Sequence, residues 1–136
     1  GEPILGLEYR RIQKGSFERY HLITSNQLYP YLEKIGVRPV GQWQVLYLPN
    51  SIAEENSDYD ELYTLTRYAS FEHYQAVRSD PAAIGGDGPD YQRMRSGMKT
   101  LGDLSLQNST EFLRGPLYGS PPVYAPPEPG NYRLAP

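Results

Sequence analysis

Apolar and polar residues alternate along four segments of the chain, a period of two that is typical of β-strands. The segments cover residues 4–12, 40–48, 61–68 and 104–113. The pattern therefore predicts four strands, distributed from one end of the chain almost to the other.

Between these segments, apolar residues recur at steps of three and four, which is the spacing of one helix face. The first such repeat covers residues 17–35, and Pro30 inside it is expected to kink the helix or divide it in two. Two shorter repeats begin after Ser70, a predicted N-cap, and at Pro89. The pattern predicts one long helical region followed later by a pair of shorter helices.

Glycine and proline mark the expected ends of these elements. Gly36 stands where a left-handed helix C-cap would lie, and Pro39 prevents the helix from continuing. Gly102 is predicted to end the last helix. Residues 80–89 contain three glycines and two prolines and are predicted to form a loop. No Gly-Lys-Ser or Gly-Lys-Thr follows it and no strand immediately precedes it, so the pattern favours a flexible loop over a phosphate-binding one.

The order of the predicted elements is strand, helix, strand, strand, helix pair, strand. This order favours a ferredoxin-like α+β sandwich (βαββαβ) with a four-stranded antiparallel sheet, over residues 1–114. Helices cover one face of such a sheet, yet large apolar side chains fall on both faces of residues 40–48. A second copy of the chain, packed sheet against sheet, would cover the other face and form a dimeric α+β barrel.

Residues 115–136 differ in composition from the rest of the chain. Seven of these 22 residues are proline, and aliphatic residues are too few for a separate core. The segment is predicted to be an extended tail of polyproline type, either strapping the dimer or acting as a peptide ligand.

The composition of the chain excludes several kinds of functional site and partner. The chain has 136 residues, a net charge of −3 and no cysteine, so disulfides, thiol catalysis and cysteine-bound metals are excluded. The chain has no basic stripe of the kind that binds nucleic acid, and it has no apolar run long enough to span a membrane. Two histidines on different predicted helices do not form a metal site, so neither a metal nor a cofactor is expected. The sequence is compatible with a soluble protein of the cytoplasm or one exported after signal-peptide removal.

Several segments resemble the NIPSNAP family of the dimeric α+β barrel superfamily. The residues that carry the resemblance are 7–12 (LEYRRI), 29–43 (YPYLEKIGVRPVGQW), 62–68 with 79–81 (LYTLTRY and SDP) and 112–117 (FLRGPL). The resemblance covers about residues 4–118, and the tail is outside it. It implies the ferredoxin-like fold and a homodimer, and it implies no defined catalytic set.

His21 is the first candidate site residue. It falls on the apolar stripe of the first predicted helix, where it is either a packed, hydrogen-bonded side chain or a proton carrier in a pocket. His73, early in its helix, is expected at the surface or at a helix end.

Four further residues are candidate ligand contacts. Arg67 shares a strand face with Tyr63 and needs either an acidic partner or an anionic or carbonyl-bearing ligand. Trp43 is expected to pack in the core or the dimer interface, or else to form a pocket wall. Tyr9 and Tyr63 are the tyrosines best placed to line a cavity.

Two functional hypotheses follow. The first is a homodimeric binding or accessory module for a small organic ligand. The alternative is an enzyme similar to the cofactor-independent monooxygenases, with a pocket between sheet and helices and His21 as its candidate catalytic residue. An enclosed cavity lined jointly by the five candidate residues would favour the enzyme.

Overall fold

Four antiparallel strands form a single sheet in the computed structural model of the chain, which describes residues 2–115. In chain order they are β1 (Ile4–Gln13), β2 (Arg38–Gln44), β3 (Tyr59–Tyr68) and β4 (Ser105–Leu113). Their order across the sheet is β2-β3-β1-β4. Gly1 and residues 116–136 lie outside the described residues, so the predicted tail does too, apart from Gly115.

Helices connect the strands. They are α1 (Phe17–Ile23), α2 (Tyr29–Lys34), α3 (Phe71–Ser79), α4 (Pro81–Gly85) and α5 (Pro89–Leu104), with a π-helical turn at Thr24–Leu28 between α1 and α2. The strand and helix order confirms the predicted ferredoxin-like α+β fold with a four-stranded antiparallel sheet.

The helices pack against one face of the sheet, called here the helix face. Ile12 and Leu62 on that face are fully buried, and they form a core with Tyr20 of α1 and Leu101 and Leu104 of α5. A second core on the same side is built from residues of α2, the following turn and α5. Its buried members are Tyr31, Ile35, Val37 and Met94.

The opposite face of the sheet is called here the open face. Strand register brings together on it the side chains of Leu5, Leu7, Tyr9, Arg11, Trp43, Glu61, Tyr63, Leu65 and Arg67. The alternation predicted for β1 and β3 is therefore observed, since every second residue of each strand lies on the open face.

The predicted interruption of the first helix is observed at Pro30. Pro30 lies in the first turn of α2, where its missing N–H costs no hydrogen bond. The π-helical turn immediately before it widens the helix, and the side chain of Thr24 there donates to the carbonyl of Tyr20 at 3.0 Å.

Gly36 adopts φ +89°, the left-handed conformation predicted for it. The ring of His73 lies against it, and His73 Nε2 is 2.8 Å from the carbonyl oxygen of Ile35. The backbone N–H of Ala69 donates to His73 Nδ1 at 3.1 Å. His73 therefore joins the start of α3 to the end of α2, in agreement with its expected place at a helix end.

Several element boundaries differ from the prediction. The second strand ends at Gln44, well before residue 48, because only Val45 continues the pairing, donating its N–H to Glu61. Part of the predicted loop 80–89 forms α4, which begins at Pro81. Helix α5 does not end at Gly102, because Leu104 is drawn into the core two residues later.

Candidate functional site

The structure divides the five candidate residues between the two faces of the sheet. Trp43 pairs directly with Tyr63, and Tyr63 pairs on its other side with Tyr9. Arg67 lies on the same open face, farther along β3, whereas His21 belongs to α1 on the helix face. The fold therefore brings four of the five residues onto one face but does not place His21 with them.

Tyr9 is already engaged on the open face. Its hydroxyl donates to Glu61 Oε2, and Glu61 Oε1 accepts a second bond from the hydroxyl of Tyr47 at 2.9 Å. Burial, followed by the neighbouring Glu61, raises the pKa of both tyrosines. Arg11 Nε donates to the Tyr9 oxygen at 3.0 Å, so the Tyr9 hydroxyl is part of a protein network.

His21 is held in one orientation on the helix face. Its Nδ1 is 2.9 Å from Gln42 Oε1, and Gln42 Nε2 donates to Thr64 Oγ1 at 3.0 Å. An amide oxygen only accepts, so Nδ1 carries a proton, and in the neutral ring Nε2 is the acceptor nitrogen. The ring also stacks on Phe17, with centroids 6.0 Å apart and planes within 9°.

An open groove of about 590 Å³ runs beside His21. Its walls combine apolar and polar residues from α1 and the turn before it, from the end of β2 and from the start of β3. The lining residues are Gly15, Phe17, Glu18, His21, Leu22, Gln44 and Asp60. A mixed lining of this kind suits a small organic molecule with one or two polar groups.

Asp60 closes one end of this groove and is itself satisfied by the protein. It is buried, Lys14 Nζ lies 3.1 Å from its Oδ1, and the backbone N–H of Gly15 donates to its Oδ2 at 2.8 Å. The carboxylate therefore fixes the turn between β1 and α1. Its charge is balanced, so Asp60 shapes the groove without being available as a base.

A polar cluster also lies between β1 and the helices, and the sequence analysis did not single it out. Arg10 forms two bonds with Glu8, Nη2 to Oε2 at 3.0 Å and Nε to Oε1 at 3.1 Å. Arg10 Nη1 donates to Ser105 Oγ at 2.8 Å. Residues at positions 8 and 10 share a strand face, so the alternating pattern could have indicated this ion pair.

The hydroxyl of Tyr29 is buried beside this cluster and has no hydrogen-bond partner among the residues that the structure describes. Burial, followed by the charge of Glu8, raises the pKa of Tyr29 to about 12. The group is therefore a neutral donor without an acceptor. No local sequence pattern could have found it, because Glu8, which lies near it, belongs to a different element, β1.

Gln42 is the other residue that the sequence analysis missed. It neighbours Trp43, and the alternation of β2 sends the two side chains to opposite faces of the sheet. The alternation places Gln42 on the strand face opposite Trp43, but only the packing of α1 against the sheet could show that Gln42 contacts His21.

Metal-binding geometry does not identify a functional site in the part of the chain that the structure describes. Residues 2–115 hold no group of three or more His, Asp or Glu side chains arranged to bind a metal ion. None of the helices formed by these residues is both long and apolar enough to cross a lipid bilayer.

Comparison with known proteins identifies the fold. No protein-family model matches the chain, and no curated protein sequence matches it significantly. Solved structures do match. A NIPSNAP family protein from Agrobacterium tumefaciens has a TM-score of 0.58 at 16% identity, over 88% of this chain and 90% of that one.

Two further solved structures have a similar fold. An uncharacterised NIPSNAP domain protein from Burkholderia xenovorans has a TM-score of 0.56 at 15% identity, covering 88% of this chain and 99% of that one. A candidate antibiotic biosynthesis monooxygenase from Chloroflexus aurantiacus has a TM-score of 0.51 at 12% identity, covering 88% and 98%. The NIPSNAP-like fold predicted from the sequence is thus confirmed, and identities this low show the fold alone.

Proposed function

We propose that this protein is a homodimeric binding module for a small organic ligand, which it holds in the groove beside His21. The observation that carries the proposal is the oriented imidazole. Gln42 and Thr64 fix one ring nitrogen, which leaves the other as an acceptor at a groove large enough for a small molecule.

The groove suggests the chemistry of the ligand. Phe17 and Leu22 supply apolar walls, and the Phe17 ring is stacked nearly parallel to the His21 imidazole. A flat aromatic body packed against these rings, with a hydroxyl or amide N–H donating to His21 Nε2, would use both features. Asp60 is already neutralised by Lys14, which argues against a strongly cationic ligand.

A fragment screen followed by NMR tests this proposal. We expect phenol-like and aromatic amide fragments to shift the ring signals of His21 and the side-chain amide signals of Gln42 and Gln44. His73 provides an internal reference, because its ring is tied to Ile35 and Ala69 away from the groove. The variant His21→Phe should keep the fold and lose the shifts.

The binding proposal would be abandoned if no fragment moved the His21 signals, or if shifts centred on His73 or on the open face. Binding that persisted unchanged in His21→Phe would also contradict it, because the polar contact proposed for the ligand would then be irrelevant.

The oriented histidine also supports a second candidate function, an enzyme in which His21 moves a proton. An imidazole fixed through Nδ1 with a free Nε2 has the arrangement that a general base needs. A fragment that binds and is also converted would favour this function. His21→Gln should then retain most binding and lose conversion, whereas a pure binding module shows no conversion in either chain.

Homodimerisation is proposed from the open face. Trp43 is 51% exposed and Tyr63 39% exposed, and leucines of β1 and β3 surround them. A contiguous apolar face of this kind usually marks an interface. A second copy fits it, because a two-fold axis stacks the same sheet face of both chains together and covers both apolar patches at once.

Sedimentation analysis over a range of concentrations tests the dimer. We expect a species of about twice the 15.4 kDa chain mass, and a shift to the monomer in Tyr63→Asp. Ile84→Asp is the matched control, since Ile84 is 47% exposed but lies on α4, on the helix side. A wild-type chain that remains monomeric throughout would contradict the proposal.

A further inference from the structure

Four aromatic rings form a cluster at the edge of the helix face, called here the edge aromatic cluster. Its members are Tyr68 of β3, Phe71 and Tyr74 of α3, and Phe112 of β4. The Tyr74 and Phe112 centroids are 4.6 Å apart at 70°, and those of Phe71 and Phe112 are 5.6 Å apart at 89°. Tyr68 meets Tyr74 edge-on at 5.1 Å.

The cluster depends on a glycine in the strand between its two sides. Gly6 of β1 pairs with Thr66 of β3 and with Phe112 of β4. A Cβ on Gly6 would lie 3.4 Å from the Tyr68 ring and 3.9 Å from the Phe112 ring, so both rings occupy the space above it. The absent side chain lets rings from non-adjacent strands approach each other across β1.

The cluster is only partly covered by the described residues. Phe71 is 49% exposed and Phe112 is 42% exposed, although phenylalanine side chains are usually buried in folded proteins. Three pairs of rings in the cluster meet at angles of 70–89°, so the edge of one ring covers only part of its neighbour's face. Aromatic surfaces of this form bind proline rings, which stack into the gaps.

The chain itself supplies a proline-rich segment next to this surface. Phe112 is three residues before Gly115, and the sequence then reaches Pro121-Pro122-Val123-Tyr124 and Ala125-Pro126-Pro127-Glu128-Pro129. Seven residues, 114–120, lie between the end of β4 at Leu113 and Pro121, the first of these prolines, about 23 Å of extended chain. That reach is enough for residues 121–129 to fold back onto the cluster.

Charge supports the same occupant. Glu128 is the single acidic residue among residues 116–136. Arg78 lies beside the cluster, with its guanidinium 5.8 Å from the Tyr74 ring centre and Nη1 3.3 Å from the Tyr74 hydroxyl. A segment docked through its prolines would bring Glu128 to the side of the surface that carries a cation.

We propose that the edge aromatic cluster is a docking surface for the proline-rich segment 121–129 of the same chain. The prolines pack on Phe71, Tyr74 and Phe112, and Glu128 pairs with Arg78. Because the segment is covalently attached, its effective concentration is high, and a weak peptide contact is sufficient to keep the surface occupied. Docking would cover exposed aromatic area without using the open face.

The chain contains no cysteine, which allows a clean test on the full-length protein. Val123→Cys provides one attachment point for a nitroxide spin label, whose unpaired electron broadens nearby NMR signals. We expect the strongest broadening at the ring signals of Phe71, Tyr74 and Phe112. Replacing Pro121, Pro122, Pro126 and Pro127 by serine in the labelled chain should abolish it.

A second variant tests the surface. Phe71→Ala truncates the most exposed ring of the cluster and should reduce the broadening at Phe112, while Phe17→Ala, in the groove beside His21, should leave it unchanged. If Phe71→Ala fails to fold, the proline-to-serine variant still tests the proposal, because it alters only residues 121–127 and leaves the aromatic cluster intact.

Three outcomes would overturn the proposal. One is the absence of selective broadening, and another is broadening centred on Trp43 and Tyr63 of the open face. The third comes from a mixing experiment. Spin-labelled chains of natural isotope abundance are mixed with isotope-enriched chains that carry no spin label. Broadening of the same strength in that mixture would mean that the segment comes from a second copy.

Discussion

The indole ring of Trp43 lies directly over Gly41, two residues earlier on the same face of β2. A Cβ on Gly41 would be 2.4 Å from Cζ2 and 2.6 Å from Cη2 of the indole. The strand bulges between Pro39 and Gly41, and this shift of register brings Gly41 to the open face. The glycine therefore lets a large ring lie flat on the sheet at the edge of the proposed dimer interface.

Gly41→Ala is expected to displace the Trp43 ring without unfolding the protein, because the ring is half exposed and free to rotate outward. A ring that projects from the face would hinder a second sheet from packing against it. We expect the dimer dissociation constant to rise about tenfold, corresponding to ~1.4 kcal/mol. Sedimentation measures the constant, and the emission of the single tryptophan reports the ring.

Gly102→Ala is the control for this substitution, since nothing lies within 4 Å of a Cβ at Gly102 and its helix packs on the other face. An unchanged emission spectrum in Gly41→Ala would show that the ring does not need the glycine. An unchanged dissociation constant with a shifted spectrum would remove Trp43 from the interface.

Tyr29 and Tyr31 form a natural pair for testing buried hydroxyls. The Tyr31 hydroxyl lies 2.7 Å from the Gly86 carbonyl and 3.1 Å from that of Pro81, whereas the Tyr29 hydroxyl has no partner among the described residues. Tyr29→Phe should raise the free energy of unfolding by about 1 kcal/mol, and Tyr31→Phe should lower it by about 1–2 kcal/mol. Urea unfolding measures both.

The opposite signs are the essential result of that experiment. Equal losses in both variants would show that the Tyr29 hydroxyl has an acceptor, such as an ordered water beside Glu8. The same measurement with a groove-binding fragment present would show whether Tyr29 takes part in binding.

The fold was predictable because its signals are local. Alternation predicted β1 and β3, Pro30 marked the interruption of the first helix, and Gly36 marked a left-handed cap. Boundaries set by tertiary packing were not predictable. Leu104 extends α5 past Gly102 because the core buries it. The second strand ends early because its pairing with β3 stops after Val45, although β3 itself begins at Tyr59.

The candidate site was less predictable than the fold. His21 was recognisable from its place on an apolar stripe, but its contact with Gln42 joins two elements that are 21 residues apart. Asp60 illustrates the same limit. The sequence places it near a polar loop with Asp58, whereas in the structure it is buried and paired with Lys14. Long-range contacts of this kind have no local pattern.

Two glycines of α5 are expected to respond in opposite ways to the same substitution. A Cβ on Gly97 would lie 2.8 Å from Leu28 Cδ1 and 2.9 Å from Gln27 Cβ, because α5 packs closely on the π-helical turn. Gly97→Ala should therefore destabilise the protein by about 1–3 kcal/mol. Gly102→Ala meets no atom and should stabilise it by roughly 0.5–1 kcal/mol through helix propensity.

Thermal and urea unfolding of the two variants decide this prediction. If Gly97→Ala were as stable as the wild type, the contact between α5 and the π-helical turn would be looser than the structure shows. A loss in Gly102→Ala would indicate that α5 needs flexibility where it passes into β4.

Stability should fall at alkaline pH because of two buried tyrosines. Burial is the main cause that raises the pKa of Tyr29 to about 12 and that of Tyr68 to about 12, against about 10 in an unfolded chain. Between these values the unfolded chain has released protons that the folded chain retains, so the free energy of unfolding decreases as pH rises. Below pH 9 both tyrosines are protonated in both states and contribute no slope.

The double variant Tyr29→Phe with Tyr68→Phe isolates this effect from other groups that titrate in the same range. Its free energy of unfolding should fall less steeply between pH 10 and about 12 than that of the wild type, by at most one proton per tyrosine replaced. Between pH 7 and 8 the two chains should have the same slope, which serves as the internal control. Parallel curves across the alkaline range would contradict the prediction, because the phenols would then titrate alike in the folded and unfolded states.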